Sequence, residues 1–288
     1  MKRSILLTIF AGVLILGLTV FAWVHRADMP LVSPHGPIAL QERGVIGITL
    51  MMASIVVIPV FVLLFVFAVR YRTDNPKARL DHFPNWDHDN LFAEFLWWLV
   101  PAVIVLFLSG IAWQSSHTLD PYLPIKSDTA PVVVQVIALD WKWLFIYPDY
   151  GVATVNELEI PENTPIHFEL TADAPMNSFW IPALSGQIMV MPGMTTQLNL
   201  QASDLGTFMG QSANISGKGF SGMTFETKSV SASDFAAWVA TTRASASPLT
   251  PVTYAELAKP SEYVPPRTYA PVDSQLYTST IMSYMMPH

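Results

Sequence analysis

Glu94 is the most informative ionisable residue in the chain. It is the one charge within an apolar run from Leu91 to Trp113. A carboxyl group at the mouth of a transmembrane helix is costly enough to mark a functional site by default. Proton collection competes there with a helix-start carboxylate that favours the N-terminal dipole or snorkels to the interface. Met176, Met189, Met191, Met194, Met209 and Met223 fall in one region. Thioethers bind Cu(I), but Met also fills irregular core gaps, and gap filling is the expected role. The histidines are scattered. His82 and His88 fall between two apolar segments, His117 follows the second of these, and His167 is alone among strand-like runs. No pair has zinc-ligand spacing. Cysteine is absent, which excludes disulfides, thiolate zinc sites, iron–sulfur clusters, covalent c-type haem, a cysteine nucleophile and a lipid anchor on an N-terminal Cys. The sequence also has no Gly-rich phosphate loop, no Gly-x-Ser-x-Gly motif and no paired-carboxylate signature.

The elements that must position these residues begin in lipid. Of 288 residues, 51% are hydrophobic and only 13% charged, against about 25% charged in soluble domains. A span needs about 20 apolar residues. Residues 45–69, without a charge, and residues 91–114 are therefore read as transmembrane helices; Pro59 and Pro101 are tolerated in such helices. Residues 1–24 carry Lys2 and Arg3 before an apolar run, Ile5 to Val24. They read either as a secretory signal, with a cleavage site near Val20-Phe21-Ala22, or as a retained anchor. The stretch 70–90 holds Arg70, Arg72, Lys77 and Arg79, whereas 25–44 holds two basic residues and His117 to Leu139 only Lys126. By the positive-inside rule residues 70–90 are cytoplasmic, and both 25–44 and the long C-terminal part lie outside. Trp86, Trp97, Trp98 and Trp113 near the ends of the second helix fit aromatic belts.

From Pro131 the pattern turns to short strand-like runs. These are Val132–Leu139, Trp141–Tyr147, Ala153–Ile160, Ile166–Thr171, Thr195–Gln201 and Gly222–Val230, separated by turn residues. They predict an outer domain over 115–244 built as an antiparallel β-sandwich. Ser233 is the expected N-cap of a closing helix over Asp234–Thr242. Trp141 and Trp143 alternate around Lys142 and are expected on one strand face, packed in the core. Residues 245–288 hold seven prolines and five tyrosines. They read as an extended arm with short helices near Tyr254–Ala258 and Gln275–Met285, unable to bury a core of its own. Residues 117–288 hold 7 Lys and Arg against 15 Asp and Glu, and the whole chain carries a net charge of −7. That acidity argues against nucleic acid as a partner.

These residues resemble subunit II of the haem–copper respiratory oxidases. The stretches Ala138-Leu139-Asp140-Trp141-Lys142-Trp143-Leu144-Phe145-Ile146-Tyr147-Pro148, Met176-Asn177-Ser178-Phe179-Trp180-Ile181-Pro182, Met191-Pro192-Gly193-Met194 and Gly210-Gln211-Ser212 carry the likeness. Within that family, Asn177 and Phe220-Ser221-Gly222-Met223 are similar to the quinol oxidases of cytochrome bo type. The resemblance implies a cupredoxin fold. In cytochrome c oxidases that fold holds a dinuclear copper centre with two Cys, two His, one Met and a Glu carbonyl. Carried onto this chain, the His positions are Asn177 and Phe220, the Cys positions Ser212 and Ser216, the Glu position Asn214, and Met223 alone survives. Copper needs soft thiolates and imidazoles, so the resemblance implies no metal on this chain.

The implied function is that of a non-redox subunit II of a proton-pumping terminal oxidase that oxidises ubiquinol and reduces oxygen to water. No complete active site is expected on the chain. The haems, the copper and the quinol site would belong to a partner subunit I, with further membrane subunits and the lipid bilayer as neighbours and no cytochrome c. Glu94 would stand at a proton entry. The implied location is the bacterial inner membrane, multi-pass, with the C-terminal domain in the periplasm. The competing readings are a Met-rich membrane-anchored copper-delivery protein and subunit II of a cytochrome c oxidase.

Overall fold

The computed structural model describes residues 29–30, 32–72 and 91–285. The signal or anchor expected over 1–24 and nearly all of the loop expected over 70–90 lie outside the described residues. Two apolar helices come first, α1 (Pro37–Arg70) and α2 (Leu91–Thr118). At about 1.5 Å per residue both exceed the roughly 30 Å hydrocarbon layer. Of α1 only Ala39 is buried within the chain, and most of the apolar residues described in both helices are exposed, with Ile104, Leu108 and Ile111 of α2 half-buried. A helix hydrophobic on every face needs lipid or another protein to cover it. α1 begins eight residues before the apolar run, and α2 ends four residues beyond the expected 114. Pro37 at the first helical position, with its fixed φ and missing N–H, is a favourable start that hydrophobicity alone does not reveal.

The described residues fall into two compact units, Gly44–Thr118 and, separately, Met29–Arg43 with the chain from Leu119 onward. In the second unit the segment before α1 is bound to the β-domain. His35 N–H donates to Ala183 O at 2.8 Å, Ser203 N–H donates to His35 O at 2.8 Å, and His35 Nδ1 lies 3.0 Å from Asp204 Oδ2. The described residues of 29–43 thus belong to the unit that holds the β-strands and are not a free linker.

That unit is a β-sandwich. Its strands are β1 (Val132–Leu139), β2 (Lys142–Tyr147), β3 (Val152–Val155), β4 (Glu157–Pro161), β5 (Ile166–Ala172), β6 (Asn177–Trp180), β7 (Ile188–Val190), β8 (Thr196–Leu200), β9 (Gly206–Ser212), β10 (Thr224–Val230), β11 (Ser247–Leu249) and β12 (Arg267–Val272). Helices α3 (Ala232–Ser245), α4 (Pro251–Ala258) and α5 (Leu276–Met285) complete it. One sheet runs β11-β12-β3-β2-β1-β5-β8 and the other β4-β10-β9-β6-β7. Most pairs are antiparallel, but β1–β5, β4–β10 and β11–β12 are parallel, so both sheets are mixed. Between the sheets lies an aromatic core. Phe179 stacks on Phe225 with centroids 5.2 Å apart, and Trp143 meets Phe179 edge-on at 5.3 Å.

The C-terminal arm has no core of its own and lies on the outer face of the seven-stranded sheet of this same chain. Ile137, Leu139, Leu144, Ile146, Ala153 and Val155 pack there against Leu249, Leu257, Leu276 and Tyr277. The physical reason is in β2, which is buried along its whole length. A strand apolar on both sides requires cover on both, and the arm is that cover. Three expectations change. Ser231, not Ser233, caps α3, its Oγ accepting from Asp234 N–H. Ala153–Ile160 is two strands, because Asn156 turns left-handed (φ 55°) to accept the Trp143 N–H on Oδ1 at 2.8 Å. Trp141 stands before β2 in a left-handed turn (φ 61°), so only Trp143 is a strand residue of the inner core.

Candidate functional site

The six positions singled out by the resemblance meet at one end of the sandwich, around the connection from β9 to β10. Asn177 opens β6 and Ser212 closes β9, and both are buried. The Ser212 hydroxyl donates to Asn177 Oδ1 at 3.0 Å and lies 3.2 Å from Asn214 O. Asn177 Nδ2 donates to Pro175 O at 2.8 Å, and Asn214 Nδ2 to Met176 O at 2.9 Å. Ser212 N–H donates to Met223 O at 3.1 Å, which ties the two ends of the connection together. Phe220 begins a short 3-10 turn to Gly222, and Met223 behind it is fully buried. Ser216 is held through its backbone, whose carbonyl accepts from the Trp141 indole N–H at 3.3 Å.

This set does not fit copper. Two uncharged hydroxyls, two carboxamides and a phenyl ring offer no thiolate and no imidazole, and Met223 is a single thioether. Asn177, Ser212 and Asn214 are moreover committed to each other and to neighbouring carbonyls. Their chemistry is that of a neutral hydrogen-bonded plug, which satisfies polar groups that burial would otherwise penalise. Among the described residues no three His, Cys, Asp or Glu side chains converge as metal ligands.

The other candidates lie apart. Glu94 is exposed in the first turn of α2. The methionines depart from the expected core role. Met223 is buried, but Met189, Met194 and Met209 are 41%, 47% and 63% exposed, and Met176 is exposed as well. Met189 on β7 and Met209 on β9 are directed outward by strand alternation, while Met176 and Met194 lie in the connections between strands.

Three charged features were not expected. Lys142 is 0% exposed. Its ammonium donates to Asp140 O at 2.9 Å, Lys259 O at 2.9 Å and Ser261 Oγ at 2.7 Å. Desolvation pushes its pKa down, partly opposed by the nearby Asp140 carboxylate. Asp173 accepts the hydroxyls of Tyr254 and Tyr284, each at 2.7 Å. Burial, then the Asp173 contact, holds the Tyr284 hydroxyl up at about 12. Glu159, 8% exposed on β4, is pushed up to about 7 by desolvation, which the Lys228 ammonium opposes and Glu157 reinforces. The sequence signal for Lys142 was a lone charge inside an apolar strand; for Asp173 and Glu159 there was none.

Comparison with known proteins places this geometry. The family model for the periplasmic domain of cytochrome c oxidase subunit II matches residues 151–230, and the oxidase aromatic-rich motif matches residues 243–288. The chain is 45% identical over 275 residues to the cytochrome bo(3) ubiquinol oxidase subunit 2 of Pseudomonas aeruginosa, covering 96% of this chain and 82% of that protein. It is 43% identical over 270 residues to the ubiquinol oxidase subunit 2 of Acetobacter aceti, covering 93% and 87%. The crystal structure of the periplasmic domain of subunit II of cytochrome oxidase of Bradyrhizobium japonicum is 25% identical with a TM-score of 0.39, covering 41% of this chain and 96% of that one.

A cupredoxin-like β-sandwich joined to two apolar helices is the architecture of an oxidase subunit II. Relatives at this identity and coverage narrow the class. The chain belongs to the ubiquinol oxidase subunit 2 family, of cytochrome bo(3) type. It is therefore a component of an oxidoreductase complex.

Proposed function

We propose that this chain is the non-redox second subunit of a proton-pumping ubiquinol oxidase, with no complete active site of its own. The observation that carries this reading is the plug of Asn177, Ser212 and Asn214 beside Phe220 and Met223. A domain without thiolate or imidazole at that end gives cytochrome c no metal to reduce. Ubiquinol then donates directly to a partner subunit I, which carries the haems, the copper and the quinol site. Asn177, Ser212, Asn214, Ser216, Phe220 and Met223 are degenerate copper-site positions, not ligands.

The chain's own contribution is structural and protonic. α1 and α2 pack on subunit I and further membrane subunits within the bacterial inner membrane, where their outward apolar side chains find cover. The basic 70–90 stretch holds the connection between them in the cytoplasm and leaves the β-sandwich in the periplasm. Glu94, in the first turn of α2, then lies at the cytoplasmic face. An ionisable group there draws protons from bulk water toward the channel of subunit I. Affinity capture of this chain from solubilised membranes tests the reading. It should bring down a large multi-helix haem protein in equal amount, and recovery without haem would reject it.

A further inference from the structure

The connection from β9 to β10 has no disulfide, and its one regular element is the 3-10 turn Phe220–Gly222. Segments with so little structure of their own are ordinarily the first to open. Here the segment is gripped from both sides. On one side the Trp141 indole donates to Ser216 O. Its ring lies so close that a Cβ added at Gly217 or Gly219 would stand 3.1 or 2.6 Å from it. On the other side the Tyr263 ring covers Gly222, where an added Cβ would stand 2.7 Å away. The Tyr263 hydroxyl lies 3.1 Å from Ser221 Oγ, and Lys218 Nζ lies 3.4 Å from Glu262 Oε1.

Both aromatic residues are left-handed, Trp141 at φ 61° and Tyr263 at φ 52°. Such strain on a bulky side chain costs about 1–3 kcal/mol and persists only where surrounding structure over-determines it. That structure is the buried ammonium of Lys142, which bonds Asp140 O next to Trp141 and Lys259 O and Ser261 Oγ just before Tyr263. Ser261 N–H also donates to Asp140 O at 3.1 Å, and Asn156 Nδ2 to Val264 O at 2.8 Å. One cation thus fixes the bases of both jaws.

We propose that Trp141 and the arm residues Glu262 and Tyr263 form a clasp that holds residues 216–222 in one conformation, with Tyr263 as the positioning residue. The contacts stand on geometry alone. Their meaning rests on the reading above: with no metal to cross-link this segment, the arm does so, and the end of the domain that carries the exposed Ile215 is presented in a fixed shape.

Hydrogen–deuterium exchange of the purified membrane complex tests the clasp with no electron donor present, so a failed quinol assay leaves its result intact. Tyr263→Ala should raise exchange of the 216–222 amides roughly tenfold, with β1 and β2 unchanged. Tyr263→Phe keeps the ring over Gly222 and should restore most of the protection. Gly222→Ala should loosen the same amides in the parent chain and add little to Tyr263→Ala, because contacting residues are not additive. Unchanged exchange in Tyr263→Ala overturns the proposal, and so do independent, additive effects of the two substitutions.

Discussion

Replacing Lys142 by methionine should weaken attachment of the C-terminal arm by about 3 kcal/mol. The Nζ atom bonds Asp140 O, Lys259 O and Ser261 Oγ in a site with no solvent exposure. Methionine keeps the length and apolar volume of the stem, so the strand has no reason to repack. What is lost is a charge-assisted donor to two carbonyls. Asp140 O keeps the Ser261 N–H at 3.1 Å and Lys259 O the Ser261 hydroxyl at 3.4 Å. The cost is therefore that of losing two hydrogen bonds to a charged donor, about 1.5–3 kcal/mol each. Part of that is offset because a buried cation no longer has to be desolvated, and such replacements are milder than breaking one half of an ion pair. Ser261 Oγ has a second acceptor near, Lys259 O at 3.4 Å, so its loss is small. A net of about 3 kcal/mol is roughly a hundredfold in the population of the detached arm. Limited proteolysis under native conditions reads that population when opening is fast. Cleavage between residues 259 and 266 should therefore speed up about a hundredfold, while the strands of the inner core stay resistant. Lys142→Arg should not rescue, since a planar guanidinium cannot aim donors at three acceptors around one point. Parent-like cleavage in Lys142→Met would refute the reasoning, for it would mean that the ammonium does not hold the arm.

Three further outcomes are expected. The Glu159 carboxyl titrates near 7 when folded against 4.5 when free, so the folded state binds its proton more tightly. Its contribution is fully present below the free value and is lost as pH rises through about 7. The melting temperature of the complex should fall by roughly a few degrees across that range; Glu159→Gln should flatten the fall, and parallel profiles would count against it. Glu94→Gln should slow proton-coupled turnover by roughly tenfold or more with haem content normal; unchanged turnover and pumping would remove Glu94 from the proton path. Combining Asn177→His, Ser212→Cys, Asn214→Glu, Ser216→Cys and Phe220→His should let the chain bind copper, visible in metal analysis and absorption; a folded variant that stays colourless would mean the loop geometry itself no longer suits the metal.

How much of this could be read from the residues varies from element to element. The two apolar helices were legible because hydrophobicity and length settle such segments. The long strands β1, β2, β5, β8 and β10 were legible from β-branched and aromatic runs. β6 and β7 were not, being four and three residues long, nor was β9, whose run is interrupted by Gly206 and Gly210; their existence depends on partners across the sheet. Composition revealed the arm and its two short helices, but not the surface on which it docks. Proline and tyrosine suggested an extended tail, yet the signal for its docking lay elsewhere, in the two-sided apolar character of Val132–Leu139 and Trp143–Tyr147. Asn177, Ser212, Asn214, Ser216, Phe220 and Met223 were identified by resemblance, and the fold brings them together at one end of the sandwich. The Trp141–Tyr263 clasp was hidden, because it joins residues more than a hundred positions apart through left-handed turns that no periodicity announces.

In the proposed function electrons bypass this subunit. Oxygen uptake by the complex purified through this chain, measured with a short-chain ubiquinol and then with reduced cytochrome c, tests it most directly. Uptake should be rapid with ubiquinol and no higher than background with cytochrome c. Comparable oxidation of cytochrome c by the same preparation would contradict the bypass.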